Sequence, residues 1–326
     1  MIIYITKILS ILFILAASIF SLEAYSQINI PQKPIKFVVI TAPGGGGDQS
    51  ARIVADQLAI KLNRTIIVEN KPGAGGNIAT QFVSQSTPDG LTFLVTSNNH
   101  TINPVLYKNA GYDAINDFMP VVQMTRGPSV IAVHPDFPAQ SVADLIAISK
   151  NKSPIPFGSI GLGSAAHLVG ECLKAITGAK FEHVNYKGGA PAVADAVAGH
   201  IGLVISSTAS TGQFIKSGKL RALGVSTTER WPSTPTVLTL QEMGYGECTS
   251  EAWIGLFAPK GTPQAIVEMM NKEILAVINS PATTEKIIAI GYLPGTGSPL
   301  AFGNLVKKEI SQVTQLVRQS KIQVQD

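Results

Sequence analysis

From residue 35 onward, short runs of β-branched residues are each followed by a glycine-rich stretch and then by apolar residues at helical spacing, and this order restricts the chain to few folds. Ile35 to Ile40 predicts a strand, Gly44 to Gly47 a loop and Ser50 to Ala59 a helix. Thr65 to Glu69 repeats the strand signal, Pro72 to Gly76 the loop, and Ile78 to Ser84 the helix. Leu91 to Thr96 gives a third strand after the turn Pro88-Asp89-Gly90. Strands and helices in alternation imply an α/β domain on a parallel sheet.

A second round of the same signals begins near Val130. Ile155 to Phe157 leads into a loop from Gly158 to Ser164 and a helix from Ala165 to Ala175. His183 to Tyr186, Ile201 to Ile205 and Leu220 to Val225 read as further strands, with a helix from Ala190 to Ala198. Two segments share one plan, a strand ended by proline and followed by a helix: Val130 to Pro135 with Ser141 to Lys150, and Trp253 to Pro259 with Pro263 to Val277. They are expected to be the two strands by which the chain crosses between domains and returns. Domain one is then discontinuous, residues 27–127 plus 251–326, with 128–250 inserted as domain two. In open α/β sheets ligands bind beyond the carboxyl ends of the strands, so the expected site is the cleft between the domains.

The chemistry is expected in the loops. Glycines at 44–47 between a strand and a helix let the backbone approach a ligand, and the free amides of the helix's first turn favour an anion. A plain tight turn is the alternative. Asp48 is either a helix N-cap or a contact to a ligand's ammonium or hydroxyl group. The second loop offers Ser159 and Ser164 besides its amides, Ser164 being equally readable as an N-cap. Facing each other, the two loops suit the two carboxylates of a diacid, with domain closure as the consequence. Lys187, before Gly188-Gly189, serves equally to reach an acid or to solvate a turn.

Other classes fit poorly. His100, His134, His167, His183 and His200 show no metal-ligand spacing, so no metal is expected. Gly44 and Gly46 begin a dinucleotide fingerprint, but Gln49 stands where its third glycine belongs. There is no nucleophile-elbow, zinc-protease or phosphate-loop motif, so neither a catalytic residue nor a cofactor is expected. The net charge is +4, from 25 basic and 21 acidic residues scattered without basic runs, which argues against nucleic acid. Residues 1–26 read as a cleaved secretory signal, with Lys7, an apolar run from Ile8 to Phe20 and Ala24-Tyr25-Ser26 before the cut; an uncleaved anchor is the alternative. The expected location is therefore periplasmic. The two cysteines, Cys172 and Cys248, pair or stay as buried thiols, which spacing leaves open.

The ordered motifs resemble those of one family. They include Ala42-Pro43-Gly44-Gly45-Gly46-Gly47-Asp48 with Arg52, Val68 to Gly76, Asn103-Pro104-Val105-Leu106-Tyr107, Gly158-Ser159 with Gly163-Ser164 and His167-Leu168, Val184 to Ala192, and Trp253-Ile254-Gly255 leading to Gly261-Thr262-Pro263. The chain resembles the Bug (TctC-like) receptors, the extracytoplasmic solute-binding component of tripartite tricarboxylate transporters, over essentially all of its mature length. The resemblance implies a two-domain periplasmic-binding-protein fold (type II-like) that closes on a small carboxylate: a di- or tricarboxylate, an amino acid or an aromatic acid. It implies a monomeric receptor that catalyses nothing and partners the membrane subunits of the transporter, or else an orphan receptor feeding a sensor kinase. It places ligand contacts on Gly45, Gly46, Gly47 and Asp48 and on Ser159, Gly163, Ser164 and Ala165. Relatives often carry threonine or serine where this chain has Gly46 and Gly47, and proline where it has Asn185.

Overall fold

Ile35, Phe37, Val38 and Val39 of the first strand, β1 (Ile35–Val39), are completely buried, as a strand covered on both faces of a parallel sheet must be. This computed structural model describes residues 31–320, apart from Lys152 and Lys187. The signal segment assigned to residues 1–26 lies outside the described residues, and so does Lys187.

β1 pairs in parallel with β2 (Ile66–Asn70) on one side and β3 (Thr92–Ser97) on the other. Helix α1 (Gly46–Leu62) links β1 to β2, α2 (Asn77–Ser84) links β2 to β3, and α3 (Asn99–Leu106) follows β3. The chain then enters one long strand, β4 (Phe118–Val133), and continues through α4 (Val142–Asn151), β5 (Ile155–Ser159), α5 (Ala165–Thr177), β6 (Phe181–Asn185), α6 (Gly189–Val197), β7 (Leu203–Ser207), α7 (Thr208–Lys216) and β8 (Arg221–Val225). It returns on β9 (Glu251–Pro259) and ends with α8 (Gln264–Ile278), α9 (Pro281–Ala289), the two-residue β10 (Leu293–Pro294) and α10 (Pro299–Ser320).

The strands form one path, β2-β1-β3-β9-β4-β7-β5-β6, with β8 and β10 also paired to β4. Its pivot is β4, which changes partners midway. From Phe118 to Pro128 it pairs antiparallel with β9, and from Ser129 to Val133 with β7 and β8. β9 pairs with β3 as well, so the returning strand completes the first half of the sheet. Each half has its own core. Val38, Leu94, Trp253, Phe257 and Phe302 pack in the first. Ile131, Val133, Phe157, Leu203 and Leu223 pack in the second, together with Cys172 and Cys248, which form a disulfide. A smaller cluster of Ile102 and Leu106 from α3, Leu168 from α5 and Val313 from α10 ties the halves together.

The last helix also carries a buried acid. Glu309 accepts hydrogen bonds from Asn98 Nδ2, Thr101 Oγ1 and Trp253 Nε1, so α10 is held to α3 and β9 at one point. Burial pushes its pKa up to about 7, against the pull of those three donors. A glutamine cannot accept all three bonds, and each buried donor left unmet costs about 1–3 kcal/mol. Glu309→Gln is therefore expected to lower unfolding free energy in a urea titration by about 2 kcal/mol; a loss within the scatter of the wild type would show that α10 is held by its apolar face alone.

Candidate functional site

α1 starts earlier than its apolar spacing predicts, at Gly46, so half of the glycine run is already helix. Gly45 is the N-cap, and its carbonyl takes the first helical bond from Gln49 N at 2.9 Å. The amides of Gly46, Gly47 and Asp48 consequently lie outside the helix's own ladder. Asp48 does not cap the helix. Its buried carboxylate accepts from Gly44 N at 2.9 Å, Arg52 Nε at 3.0 Å and Asn70 Nδ2 at 2.9 Å, which fixes the loop and neutralises Arg52. Burial pushes the Asp48 pKa up, but those hydrogen bonds outweigh it and hold the group below the ordinary carboxylate value. Beneath the loop, Thr41 Oγ1 is buried without a partner, 3.2 and 3.1 Å from where Cβ atoms on Gly45 and Gly47 would stand.

The second loop spends its side chains on itself. Ser159 Oγ lies 2.7 Å from His183 Nε2, and Ser164 is the N-cap of α5, accepting from His167 N at 3.1 Å while donating to Gly161 O at 2.7 Å. Gly163 N donates to His167 Nδ1 at 3.3 Å, and Leu162 N to Asn185 Oδ1 at 2.9 Å. The loop is thus braced by two histidines in ring contact, His167 and His183, whose centroids are 4.2 Å apart with the planes tilted by 41°. The first-turn amides of Ala165 and Ala166 remain outside the ladder.

Contacts between the two halves define the ends of a cleft. At one end Gly163 stands against α3, a Cβ there lying 3.1–3.4 Å from Ile102, Leu106 and Asn103. Asn103 is 1 % exposed; its Nδ2 serves Gly75 O and Asn77 Oδ1 while its Oδ1 has no partner. At the other end Tyr292 is wedged between Gly46 of the first loop, Gly127 of β4 and Ser207 at the start of α7, to which it is hydrogen-bonded. Next to it Thr208 Oγ1 donates to Gly291 O at 2.5 Å.

Of the predicted residues, Gly45 caps α1 and Gly46, Gly47 and Asp48 form its first turn, while Ser159 ends β5, Ser164 caps α5 after Gly163, and Ala165 begins α5. Sequence reasoning missed Thr41, Asn103, Ser206 and Tyr292. One signal was available for Ser206: it ends the apolar run Leu203-Val204-Ile205 with a hydroxyl at the carboxyl end of a buried strand. Tyr292 carries no local signal, because its partners Ser207, Gly127 and Gly46 are 85, 165 and 246 residues away. Two surface depressions, one of about 330 Å³ beside Phe118, Val267 and Leu300 and one of about 470 Å³ beside Phe82 and Asp89, involve none of these residues. Among the described residues no group of three His, Cys, Asp or Glu is placed to hold a metal ion.

The chain matches the family model described as "Tripartite tricarboxylate transporter family receptor" over residues 50–322. It is 34% identical over 305 residues to a UPF0065 protein of Pseudomonas sp. (strain P51) encoded in a tcbD-tcbE intergenic region, covering 93% of this chain and 91% of that one. It is 31% identical to Protein BugT of Bordetella pertussis (strain Tohama I), covering 97% of this chain and 98% of BugT. Among solved structures it superposes on R. palustris Rpa4515 with adipate at a TM-score of 0.81 and 32% identity, covering 90% of this chain and 99% of that one. MatC from Rhodopseudomonas palustris with bound malate follows at a TM-score of 0.79 and 27% identity, covering 88% and 99%. With a two-domain solute-binding fold and matches of this extent, the chain belongs to the tripartite tricarboxylate transporter receptor family, the Bug receptors.

Proposed function

We propose that this receptor captures a small carboxylate in the cleft between residues 31–128 plus 251–320 and the inserted residues 129–250, and hands it unchanged to the membrane subunits of a tripartite transporter. The observation that carries the reading is the chemistry of the cleft walls. α1, α6 and α7 begin without side-chain caps, which leaves their first-turn amides available to an anion, and buried hydroxyl and amide oxygens at Thr41, Asn103 and Ser206 lack partners. Among the described residues, Arg52 is paired with Asp48, Lys71 with Glu69 and Arg126 with Glu251. Oriented amides then supply the positive potential that a carboxylate needs. The partners named for Rpa4515 and MatC, adipate and malate, are small carboxylates and support the same class. Within it, Gly46, Gly47 and Asp48 contribute backbone amides from the first loop, the Asp48 side chain braces that loop, and Ala165 contributes from the second.

A ligand at about 100 times its dissociation constant stabilises the folded state by roughly 2.7 kcal/mol. For a protein of this size that raises the melting temperature by about 5 °C. Melting the purified protein against mono-, di- and tricarboxylates, amino acids, aromatic acids and neutral sugars is expected to show such a rise with one class of acid, which is recovered chemically unchanged. No rise with any acid, in protein freed of co-purified ligand, would overturn the carboxylate reading.

A further inference from the structure

Four successive residues, Gly73 to Gly76, have positive φ, and one of them is Ala74 at +46°. A side chain holds that turn from outside: Asn103 of α3 donates from Nδ2 to Gly75 O at 3.0 Å and to Asn77 Oδ1 at 2.6 Å. Because Gly75 O is an acceptor, the Asn103 amide can sit only this way round. Both bonds lie within the first half of the molecule. They leave Asn103 Oδ1 on the other side of the amide, buried and without a hydrogen-bond partner.

What covers that oxygen comes from the second half. A Cβ on Gly163 would stand 3.4 Å from Asn103 Oδ1, 3.1 Å from Ile102 and 3.3 Å from Leu106. The Gly163 amide does not answer the oxygen, since it donates to His167 Nδ1. The contact therefore has two parts of opposite sign. Ile102 and Leu106 share an apolar cluster with Leu168 of α5, and burying them favours the halves together. Burying a carbonyl oxygen that loses its water and gains no donor opposes it.

We propose that Asn103 is a positioning residue for capture: its unmet Oδ1 penalises closure of the empty cleft and so keeps the receptor open to its ligand. When the halves part, Gly163 leaves α3 and the oxygen is hydrated again, while the Nδ2 bonds stay as they are. Ligand contacts made to both halves overcome the penalty. This needs the receptor to close between its halves and does not need the ligand to be an acid, so it stands or falls apart from the carboxylate reading.

The test compares the wild type with Asn103→Leu, which is close in volume and lacks the oxygen, and with Leu106→Ala, which removes part of the apolar contact. Both variants are expected to melt at a lower temperature, and their affinities for malate and adipate are expected to move in opposite directions. Asn103→Leu should bind about tenfold more tightly than the wild type, because the lost Nδ2 bonds count equally in the open and closed states while the lost penalty counts only in the closed one. Leu106→Ala should bind about tenfold more weakly. A residue that serves only the fold would not raise affinity while lowering stability. The ligand-free proteins give a second reading, paramagnetic relaxation from a nitroxide on Ala190→Cys, which is exposed on the second half, at the amides of residues 31–127. The ratio of closed to open molecules is expected to rise about tenfold in Asn103→Leu. If the leucine variant does not fold, Asn103→Ala, which lacks the same oxygen, is read in its place. A wild type already closed when empty overturns the proposal, and so does a closed fraction that fails to rise, or an affinity unchanged or weakened in the Asn103 variant. If neither malate nor adipate binds, the relaxation measurement decides it alone.

Discussion

Removing the Cys172–Cys248 bond is expected to cost the protein about 4 kcal/mol and to lower its melting temperature by roughly 8 °C. The cysteines are 76 residues apart with Cα atoms separated by 5.5 Å, so the bond closes a large loop in the unfolded chain. In the chain-entropy account a loop of that size loses more conformational freedom than the short loops of small secreted domains, and the folded state gains by the difference. Its position adds a local effect. Cys172 lies on α5, whose start forms the second loop, and Cys248 lies in the turn just before the returning strand β9. Without the bond, the segment from β8 to β9 is expected to open first. The clean comparison is a urea titration of Cys172→Ala/Cys248→Ala beside the wild type with and without dithiothreitol. Agreement between the double variant and the reduced wild type assigns the loss to the cross-link rather than to missing side-chain volume. Equal stability of oxidised and reduced wild type would show that the bond contributes nothing.

Most of the fold was legible because its strands are buried on both faces and its loops are marked by glycine. β1, β3, β5 and β7 fall within two residues of the runs read from the sequence, and so do α2, α4, α5 and α6. The first half of β4 escaped because Pro120, Gly127 and Pro128 interrupt it, and prolines normally argue against a paired strand. The structure accommodates Pro120 where the register with β9 shifts. α3 was missed for a similar reason, since eight residues containing Pro104 carry no helical stripe. α9 and α10 also went unread; the anchors of α10, Phe302, Val306, Glu309 and Val313, make sense as one face only when β9 and α3 are beside them.

The two loops were legible in their backbone and less so in their side chains. Glycine runs after strands announced both loops, and Asp48 and Ser164 were correctly singled out as polar residues at helix starts, though Asp48 turned out to brace Gly44 and Arg52 rather than cap its helix. Local spacing could not reveal that Tyr292 closes one end of the cleft, because it meets Gly46 and Ser207 only through the tertiary fold. Two of the five histidines act on the second loop. His167 and His183 hold the second loop in place through Gly163 and Ser159.

That bracing makes the protein sensitive to acid. Burial lowers the pKa of His167 to about 3, with His183 and Lys174 adding repulsion, and lowers that of His183 to about 4, with Lys174 adding to it. Burial also lowers His100 to about 4, in its pocket against Tyr112, Phe118 and Phe257. In the unfolded chain each takes up a proton near pH 6.5, so between 6.5 and 4 the unfolded state binds more protons and stability falls as pH falls. At about 1.4 kcal/mol per unit, each histidine costs roughly 2–3 kcal/mol by pH 4.5. Glu309 works the other way: its raised pKa makes the folded state the better proton binder between about 7 and 4.5, which returns roughly 3 kcal/mol over that window. The three histidines outweigh it, and the net expectation is a loss of several kcal/mol between pH 7 and 4.5, read as a falling urea midpoint. His167→Gln should flatten that fall by one histidine's share while Glu309→Gln steepens it. An unchanged slope in His167→Gln would mean that the ring protonates without disturbing the fold. Ligand affinity should hold over that range, because folded His167 stays neutral until about pH 3, and only there does a proton on its Nδ1 take away the acceptor that holds Gly163.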